Sequence, residues 1–142
     1  MNKPFFKTKP LWSRNESYSN HRIPGMIVTN CGTLIAYCEA RQSESDWALM
    51  DIIMQRSTDH GQTFGAPYIL AKGTKEKPTV NNPVMIQDKN GRIHFFYCEN
   101  YTIMGGRALR RYSDDDGVTW SEAIDVTEST NPDFHNAFAF GP

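Results

Sequence analysis

The sequence predicts an all-β protein made of two four-stranded β-propeller blades, and an internal repeat is the main reason. The pattern Ser-x-Asp-x-Gly-x-Thr-aromatic occurs at residues 57–64 and again at residues 113–120. A second pair of similar segments, "NCGTLIAYCEA" from Asn30 and "KNGRIHFFYCEN" from Lys89, repeats at nearly the same spacing. Short strands that recur at a period of roughly 50 residues are typical of propeller blades rather than of a sandwich. No segment shows the sustained apolar spacing of an amphipathic helix.

Each repeat contains four short segments rich in Ile, Val, Tyr and Phe, and turns with Gly, Asn or Asp separate them. Such segments favour strands joined by tight turns. In order, the predicted strands are Gly25–Thr29, Thr33–Ala40, Leu49–Arg56 and Ala66–Ala71 in the first blade, and Pro83–Gln87, Arg92–Glu99, Arg107–Tyr112 and Ala123–Val126 in the second. The predicted organisation is therefore a lead-in over residues 1–24, a first blade over 25–72, a second blade over 78–127 and the start of a further blade over 128–142.

The repeated octapeptide fits a hairpin turn between the third and fourth strands of each blade. Its aspartate can accept hydrogen bonds from turn amides, and its glycine permits a positive φ without steric strain. Its threonine adds a hydroxyl, and its aromatic residue can pack beneath the turn. We therefore predict a structural role for the residues of both copies: Ser57, Asp59, Gly61, Thr63, Phe64, Ser113, Asp115, Gly117, Thr119 and Trp120. The run Asp114–Asp116 is also interpreted as part of a turn rather than as a calcium or acid–base cluster.

The composition limits the classes of function. The net charge of −1 over 142 residues gives no electrostatic reason to expect a nucleic-acid partner. No apolar run is long enough for a membrane span, and the N-terminus lacks the apolar core of a signal peptide, so we expect a soluble, cytoplasmic protein. The three cysteines form no Cys-x-x-Cys pair, so neither zinc nor a disulfide framework is expected. No metal or other cofactor is predicted.

Several segments of the chain carry a resemblance to a known family. The octapeptides resemble the Asp boxes, or BNR repeats, of exo-α-sialidases (neuraminidases), which are six-bladed propellers. "HRIPGMIV" resembles the Arg-Ile-Pro motif that opens their catalytic domain, and "YCEARQSESDW" resembles their Glu-x-Arg segment followed five residues later by Asp. "NNPVMIQDKNGRIHFFY" is similar to the segment that starts their next blade, and the chain reaches "FAFGP" where sialidases usually continue as Gly-Pro-Gly-x-Gly-Ile. The resemblance runs from about Asn20 to Pro142, the N-terminal part of such a domain.

The resemblance implies a set of substrate-binding and catalytic residues. It makes Arg22 one of three arginines that grip the carboxylate of sialic acid, which suits the two parallel hydrogen bonds that a guanidinium can donate. It makes Arg41 a second arginine contacting the sugar beside that carboxylate, and Asp46 the general acid/base. Asp133 or His135 is expected to contact the sugar as well.

The residues themselves leave alternatives open for these assignments. Arg41 could instead form a salt bridge with Glu39 or Glu44. Glu44 competes with Asp46 as the acid/base, and Asp51 is a more distant candidate.

The implied function is that of a sialidase-like glycoside hydrolase segment. Sialidases use a Tyr nucleophile activated by a Glu, and in the family that pair and the other two carboxylate-binding arginines belong to later blades. Hydrolysis of sialylated glycans is therefore expected only when further blades complete the site. The alternatives are a non-catalytic glycan-binding or scaffold propeller, and a hydrolase of the same superfamily acting on another sugar acid.

Two blades do not close a propeller, which usually needs four to eight, and repeat arrays generally need about three units to be stable. We therefore expect one of three situations: covalent continuation in a longer chain, a natural truncation, or self-association. A trimer of two-blade units, giving six blades, is one hypothesis, which light scattering tests.

Overall fold

The computed structural model describes Phe6, residues 8–102 and residues 105–129. Within those residues it contains eight strands and a short 3₁₀ helix, Thr127–Ser129. The strands are β1 (Asn20–Val28), β2 (Leu34–Arg41), β3 (Met50–Ser57), β4 (Tyr68–Lys72), β5 (Val80–Gln87), β6 (Ile93–Thr102), β7 (Gly105–Ser113) and β8 (Ile124–Asp125). The part of the chain so described holds no helix with the length and apolar character to cross a membrane.

The strands form two four-stranded sheets with sequential order, β1-β2-β3-β4 and β5-β6-β7-β8. All neighbouring pairs are antiparallel, and β2 pairs with β3 without a register shift, from Leu34 opposite Ser57 to Arg41 opposite Met50. This arrangement confirms the predicted fold class of two four-stranded blades.

The first strand of each sheet begins earlier than the sequence predicted, because a β-bulge lets each strand pass through a proline. The register shifts between Arg22 and Gly25 in β1, and an equivalent shift occurs in β5. The residue before each proline has a positive φ, 51° at Ile23 and 52° at Asn82. Proline cannot donate to a strand ladder, so it is tolerated at such a bulge. A positive φ costs about 1–3 kcal/mol for a residue other than glycine, so the surrounding sheet must enforce it.

The main core lies between the two sheets. Phe95 of β6 is fully buried there, stacked on Tyr97 at 5.0 Å between ring centroids and met edge-on by Trp120 at 6.0 Å. The Tyr37 hydroxyl accepts a hydrogen bond at 3.1 Å from the backbone N–H of Met85, so the polar contacts also cross between the sheets. A smaller cluster on the other face of the first sheet packs under the N-terminal segment and contains Cys38, Ala40, Ile53, Trp12 and Tyr18.

Both octapeptides form the same hydrogen-bonded turn. In the second copy, the Ser113 hydroxyl donates to Asp115 at 2.8 Å and accepts from the Gly117 N–H at 2.9 Å. The N–H and the hydroxyl of Thr119 donate to the same aspartate at 2.8 and 2.6 Å. The first copy repeats each of these contacts within 0.1 Å, and the two glycines have φ values of 81° and 80°. The aspartates are therefore occupied by the turn itself.

The two carboxylates beside Asp115 are also engaged. Asp114 accepts two hydrogen bonds from Arg92, at 2.6 and 2.9 Å. Asp116 accepts from Arg56 of β3 and from Thr33, which directly precedes β2, and so joins the second turn to the neighbouring blade. In the described residues, no group of three or more His, Cys, Asp or Glu side chains is placed to hold a metal ion.

The hydrogen bonds of the second turn predict that the stability of the protein depends on pH through Asp115. Hydrogen bonds from the side chain and backbone of Thr119 lower the pKa of Asp115 to about 2. The folded pKa is below the ordinary value of about 3.9, so the stabilising contribution is complete above about pH 4 and is lost as the pH falls towards about 2. We expect Asp115→Ala to lower the urea midpoint of unfolding at neutral pH. The difference between the midpoints of the variant and the unmodified chain should then become smaller as the pH falls from about 4 to about 2.

Intrinsic tryptophan fluorescence at several pH values measures those midpoints. Glu122→Ala removes an exposed carboxylate outside these turn hydrogen bonds and serves as the control. A difference for Asp115→Ala that stays constant down to about pH 2 would contradict the assignment.

Candidate functional site

Three of the residues singled out in the sequence meet at one end of the first sheet. Arg22 lies at the bulge in β1, Arg41 is the last residue of β2, and Asp46 is in the loop between β2 and β3. Nη1 of Arg22 is 3.0 Å from Oδ1 of Asp46, and Nη1 of Arg41 is 2.5 Å from the same oxygen. Two guanidinium groups therefore share one carboxylate oxygen.

The strand pairing accounts for this meeting. Arg22 of β1 is directly opposite Glu39 of β2, and residues opposite one another in a ladder project from the same face. Arg41 follows Glu39 by two positions and so projects from that face as well. The loop then folds back over the strand end, because the N–H of Gln42 donates to the carbonyl of Leu49 at 3.0 Å.

The three side chains differ sharply in exposure. The Arg41 side chain is 4% exposed, whereas that of Arg22 is 47% exposed and that of Asp46 is 68% exposed. The hydrogen bond and charge of Arg41, and more weakly the charge of Arg22, hold the pKa of Asp46 below its ordinary value. In this arrangement Asp46 is an ionised carboxylate at neutral pH, with a buried cation on one side and an accessible cation on the other.

A fourth residue, Glu39, completes the cluster from below. Its fully buried carboxylate accepts from Nε of Arg41 at 2.8 Å and from Nη2 at 2.5 Å. From the sequence alone, Glu39 is only a competing salt-bridge partner that would remove Arg41 from the site. The structure shows that Arg41 pairs with Glu39 and with Asp46 at once, and the i, i+2 spacing on a strand was the available signal.

The competing carboxylates lie elsewhere. Glu44 is exposed and pairs with Arg14 of the N-terminal segment at 3.6 Å. Asp51 is largely buried and accepts from the Tyr18 hydroxyl at 2.5 Å. Asp46 is thus the carboxylate that the described part of the chain places on Arg22 and Arg41. The two further predicted contacts, Asp133 and His135, lie outside the described residues.

Two tyrosines in the described residues are unsuited to act as a nucleophile. Burial raises the pKa of Tyr37 and of Tyr97. An activated nucleophile needs a lowered pKa or an adjacent general base. These two side chains instead belong to the main core between the sheets.

Comparison with known proteins places the chain in a family. Residues 32–141 match the family model of the BNR repeat-like domain. The chain belongs to the BNR repeat-like family. Among the curated relatives of this BNR-family chain, a sialidase of Clostridium perfringens is 31% identical over 144 residues, covering 89% of this chain and 36% of the relative. Sialidase-3 of Bos taurus is 29% identical over 154 residues, covering 95% of this chain and 36% of the relative.

The same relationship appears in three dimensions. The solved structure of the Hadza microbial sialidase Hz136 superimposes with a TM-score of 0.71 and 30% identity, over 82% of this chain and 28% of that one. The two sheets of the BNR-family chain therefore correspond to part of a sialidase propeller. The chain spans about a third of the length of the curated relatives it matches.

Proposed function

We propose that this chain supplies a carboxylate-binding arginine and the proton-transfer aspartate of a sialidase-like glycoside hydrolase, which removes terminal sialic acid from glycoconjugates when further blades complete it. The observation that carries the proposal is the cluster of Arg22, Arg41 and Asp46 at a solvent-accessible sheet end. The relatives named sialidases support the choice of an acidic sugar as the ligand.

Arg22 is the residue suited to recognise the sugar carboxylate. About half of its side chain is exposed, and Asp46 engages it through Nη1. A ligand carboxylate can accept two parallel charge-assisted hydrogen bonds from such a guanidinium. Binding would therefore draw Arg22 partly away from Asp46.

That exchange prepares Asp46 for proton transfer. Once the ligand carboxylate neutralises Arg22, only Arg41 remains as a cationic partner of Asp46. Because the stabilising charge of Arg22 is then lost, the pKa of Asp46 rises. Displacement of water by the sugar raises it further, towards the range in which a carboxyl group can protonate a glycosidic oxygen. Arg41 was expected to contact the sugar, but its burial makes it better suited to orient Asp46.

A second candidate function is glycan binding without hydrolysis. Two observations favour it: Asp46 is ionised in the unliganded arrangement, and the tyrosine pKa values given above are raised rather than lowered. Recognition by Arg22 needs neither a proton donor nor a nucleophile.

The recognition step is tested by adding sialic acid to the ¹⁵N-labelled chain and following amide shifts by NMR. Because Arg22 is the accessible arginine of the Arg22–Arg41–Asp46 cluster, we expect a Kd on the order of 1 mM. Arg22→Ala should weaken binding by about 10–100-fold, because it removes charge-assisted hydrogen bonds. Arg14→Ala is the matched control, since Arg14 is another exposed arginine near the same loop, paired with Glu44. The methyl ester of sialic acid, which lacks the carboxylate charge, should also bind poorly.

Hydrolysis of a fluorogenic sialoside, measured on a protein in which further blades complete the site, separates the two candidates. Turnover that falls by about 10²–10⁴-fold in Asp46→Ala of that protein supports the hydrolase assignment. Sialic acid binding without turnover by the same completed protein favours the binding function. Binding that is unchanged in Arg22→Ala, or absent altogether, contradicts the proposed role of this site.

A further inference from the structure

The Glu39 carboxylate joins the two sheets directly beneath the candidate site. One oxygen, Oε2, accepts from Nε and Nη2 of Arg41 in the first sheet. The other oxygen, Oε1, accepts at 2.8 Å from the backbone N–H of Asn82 in the second sheet. The side chain is fully buried, so these partners replace the water that an ionised carboxylate would otherwise require.

The β5 bulge makes this contact available. The register of β5 against β6 shifts between Asn81 and Val84, and Asn82 within the shift has a φ of 52°. A bulge leaves a backbone group outside the regular ladder. The N–H of Asn82 is thereby directed to the neighbouring sheet instead of to β6.

The planar geometry of the guanidinium carries this constraint to Asp46. Its five N–H groups have fixed relative directions. When Glu39 holds Nε and Nη2 of Arg41, the direction of Nη1 is determined, and Nη1 is the group that donates to Asp46. The position of Glu39 therefore sets the orientation of the hydrogen bond that Asp46 receives.

We propose that Glu39 is a positioning residue for this site, coupling the Asn82 bulge of the second sheet to the Arg41–Asp46 pair of the first. The inference rests on the proposed function in one respect, namely that Asp46 is the group whose protonation matters. The second sheet then contributes to the site through a backbone N–H and an intervening carboxylate.

The chain contains a matched residue without this role. Glu99 follows Tyr-Cys in the second sheet as Glu39 does in the first. It pairs with Arg107 and, at 3.0 Å, with Lys77, and it belongs to a different cluster from Asp46. Glu99→Gln therefore removes the equivalent carboxylate of the other sheet and serves as the control.

The first test is the pKa of Asp46, read from a ¹³C-carboxyl NMR titration of the whole chain. In Glu39→Gln we expect the pKa of Asp46 to rise towards its ordinary value, because Arg41 loses its fixed orientation and donates less well. In Glu99→Gln it should stay unchanged. A purely electrostatic or packing role predicts the opposite sign, because removing a nearby negative charge lowers the pKa of Asp46. An unchanged or lowered pKa in Glu39→Gln would overturn the proposal.

A second variant covers the case in which Glu39→Gln does not fold, since that change leaves the Arg41 cation buried without its carboxylate. Asp46→Asn alters an exposed side chain and keeps the buried pair. Loss of the Asp46 charge should readjust Arg41 and Glu39, and so shift the amide resonance of Asn82 in the other sheet. Glu44→Gln, in the same loop, should not shift it. An Asn82 resonance that moves no more in Asp46→Asn than in Glu44→Gln would overturn the coupling.

Neither measurement involves a sugar, so the two proposals fail separately. If the Asn82 resonance and the pKa of Asp46 respond as expected but the chain does not bind sialic acid, the proposed function is contradicted and the coupling is supported. Sialic acid binding through Arg22 with an unresponsive Asp46 and Asn82 would contradict the coupling alone.

Discussion

Arg41→Met is expected to lower the free energy of unfolding by about 3–5 kcal/mol, because it leaves a buried carboxylate without its cation. Glu39 is 0% exposed and would keep only the Asn82 N–H among the partners described above. Methionine has nearly the length of the arginine stem, so packing changes little. Urea unfolding followed by tryptophan fluorescence measures the loss.

The double variant Glu39→Leu with Arg41→Met is the control for this explanation. Apolar side chains of similar size can often replace a buried ion pair with little loss of stability. We expect the double variant to recover part of the lost stability, with the remaining deficit caused by loss of the hydrogen bond from the Asn82 N–H, which leucine cannot accept. A double variant that is less stable than Arg41→Met would show that the buried charge is not the reason for the loss.

Phe95→Ala is expected to lower the free energy of unfolding by about 3–5 kcal/mol, the range for removing a fully buried aromatic side chain. Phe95 stands between the two sheets, in contact with Tyr97 and Trp120. Because small domains are stable by only about 5–15 kcal/mol, we expect much of the cooperative transition to be lost. Urea unfolding and near-UV circular dichroism of the aromatic residues measure the effect.

Phe64→Ala provides the comparison. Phe64 is the aromatic residue of the first octapeptide, but it is only partly buried, with the Lys9 ammonium 5.5 Å from its ring centroid. Its removal should cost much less than the removal of Phe95. Equal losses for the two variants would contradict the placement of the core between the sheets.

Strand order and the octapeptide turns were predictable because they depend on residues close together in the chain. The hydrogen bonds of the turn join Asp59 to Thr63 and Asp115 to Thr119, each four positions apart. Antiparallel strands joined by short turns likewise pair with their sequence neighbours. Local composition therefore sufficed for the fold class, and the motifs around Arg22 and Asp46 indicated the site.

The two bulges were not predictable in the same way. A residue before proline ordinarily adopts an extended conformation, yet Ile23 and Asn82 both have a positive φ. Only the pairing of each strand with its neighbour, together with the packing of the sheets, enforces that geometry. The predicted starts of β1 and β5 were too late for this reason.

The packing of the two octapeptide turns against the rest of the protein was also not predictable from the motif. Their sequences and hydrogen bonds are equivalent, and both aromatic residues are half-buried, but Trp120 packs against the main core, whereas Phe64 lies beneath the Lys9 ammonium. The second turn contacts the first sheet through Asp116 and Arg56. Which neighbour a turn meets depends on its place in the stack of sheets, and the motif carries no information about that place.

The sequence by itself determined the two-blade architecture, the turns, and the identity of Arg22, Arg41 and Asp46 as candidates. Only the tertiary structure decided that Arg41 is buried, that Asp46 is held ionised, and that Glu39, beside them in the first sheet, accepts a hydrogen bond from Asn82 of the second sheet. The physical reason is distance along the chain. Glu39 and Asn82 are 43 positions apart, and their contact exists only because the sheets pack face to face and a bulge directs one N–H across the boundary.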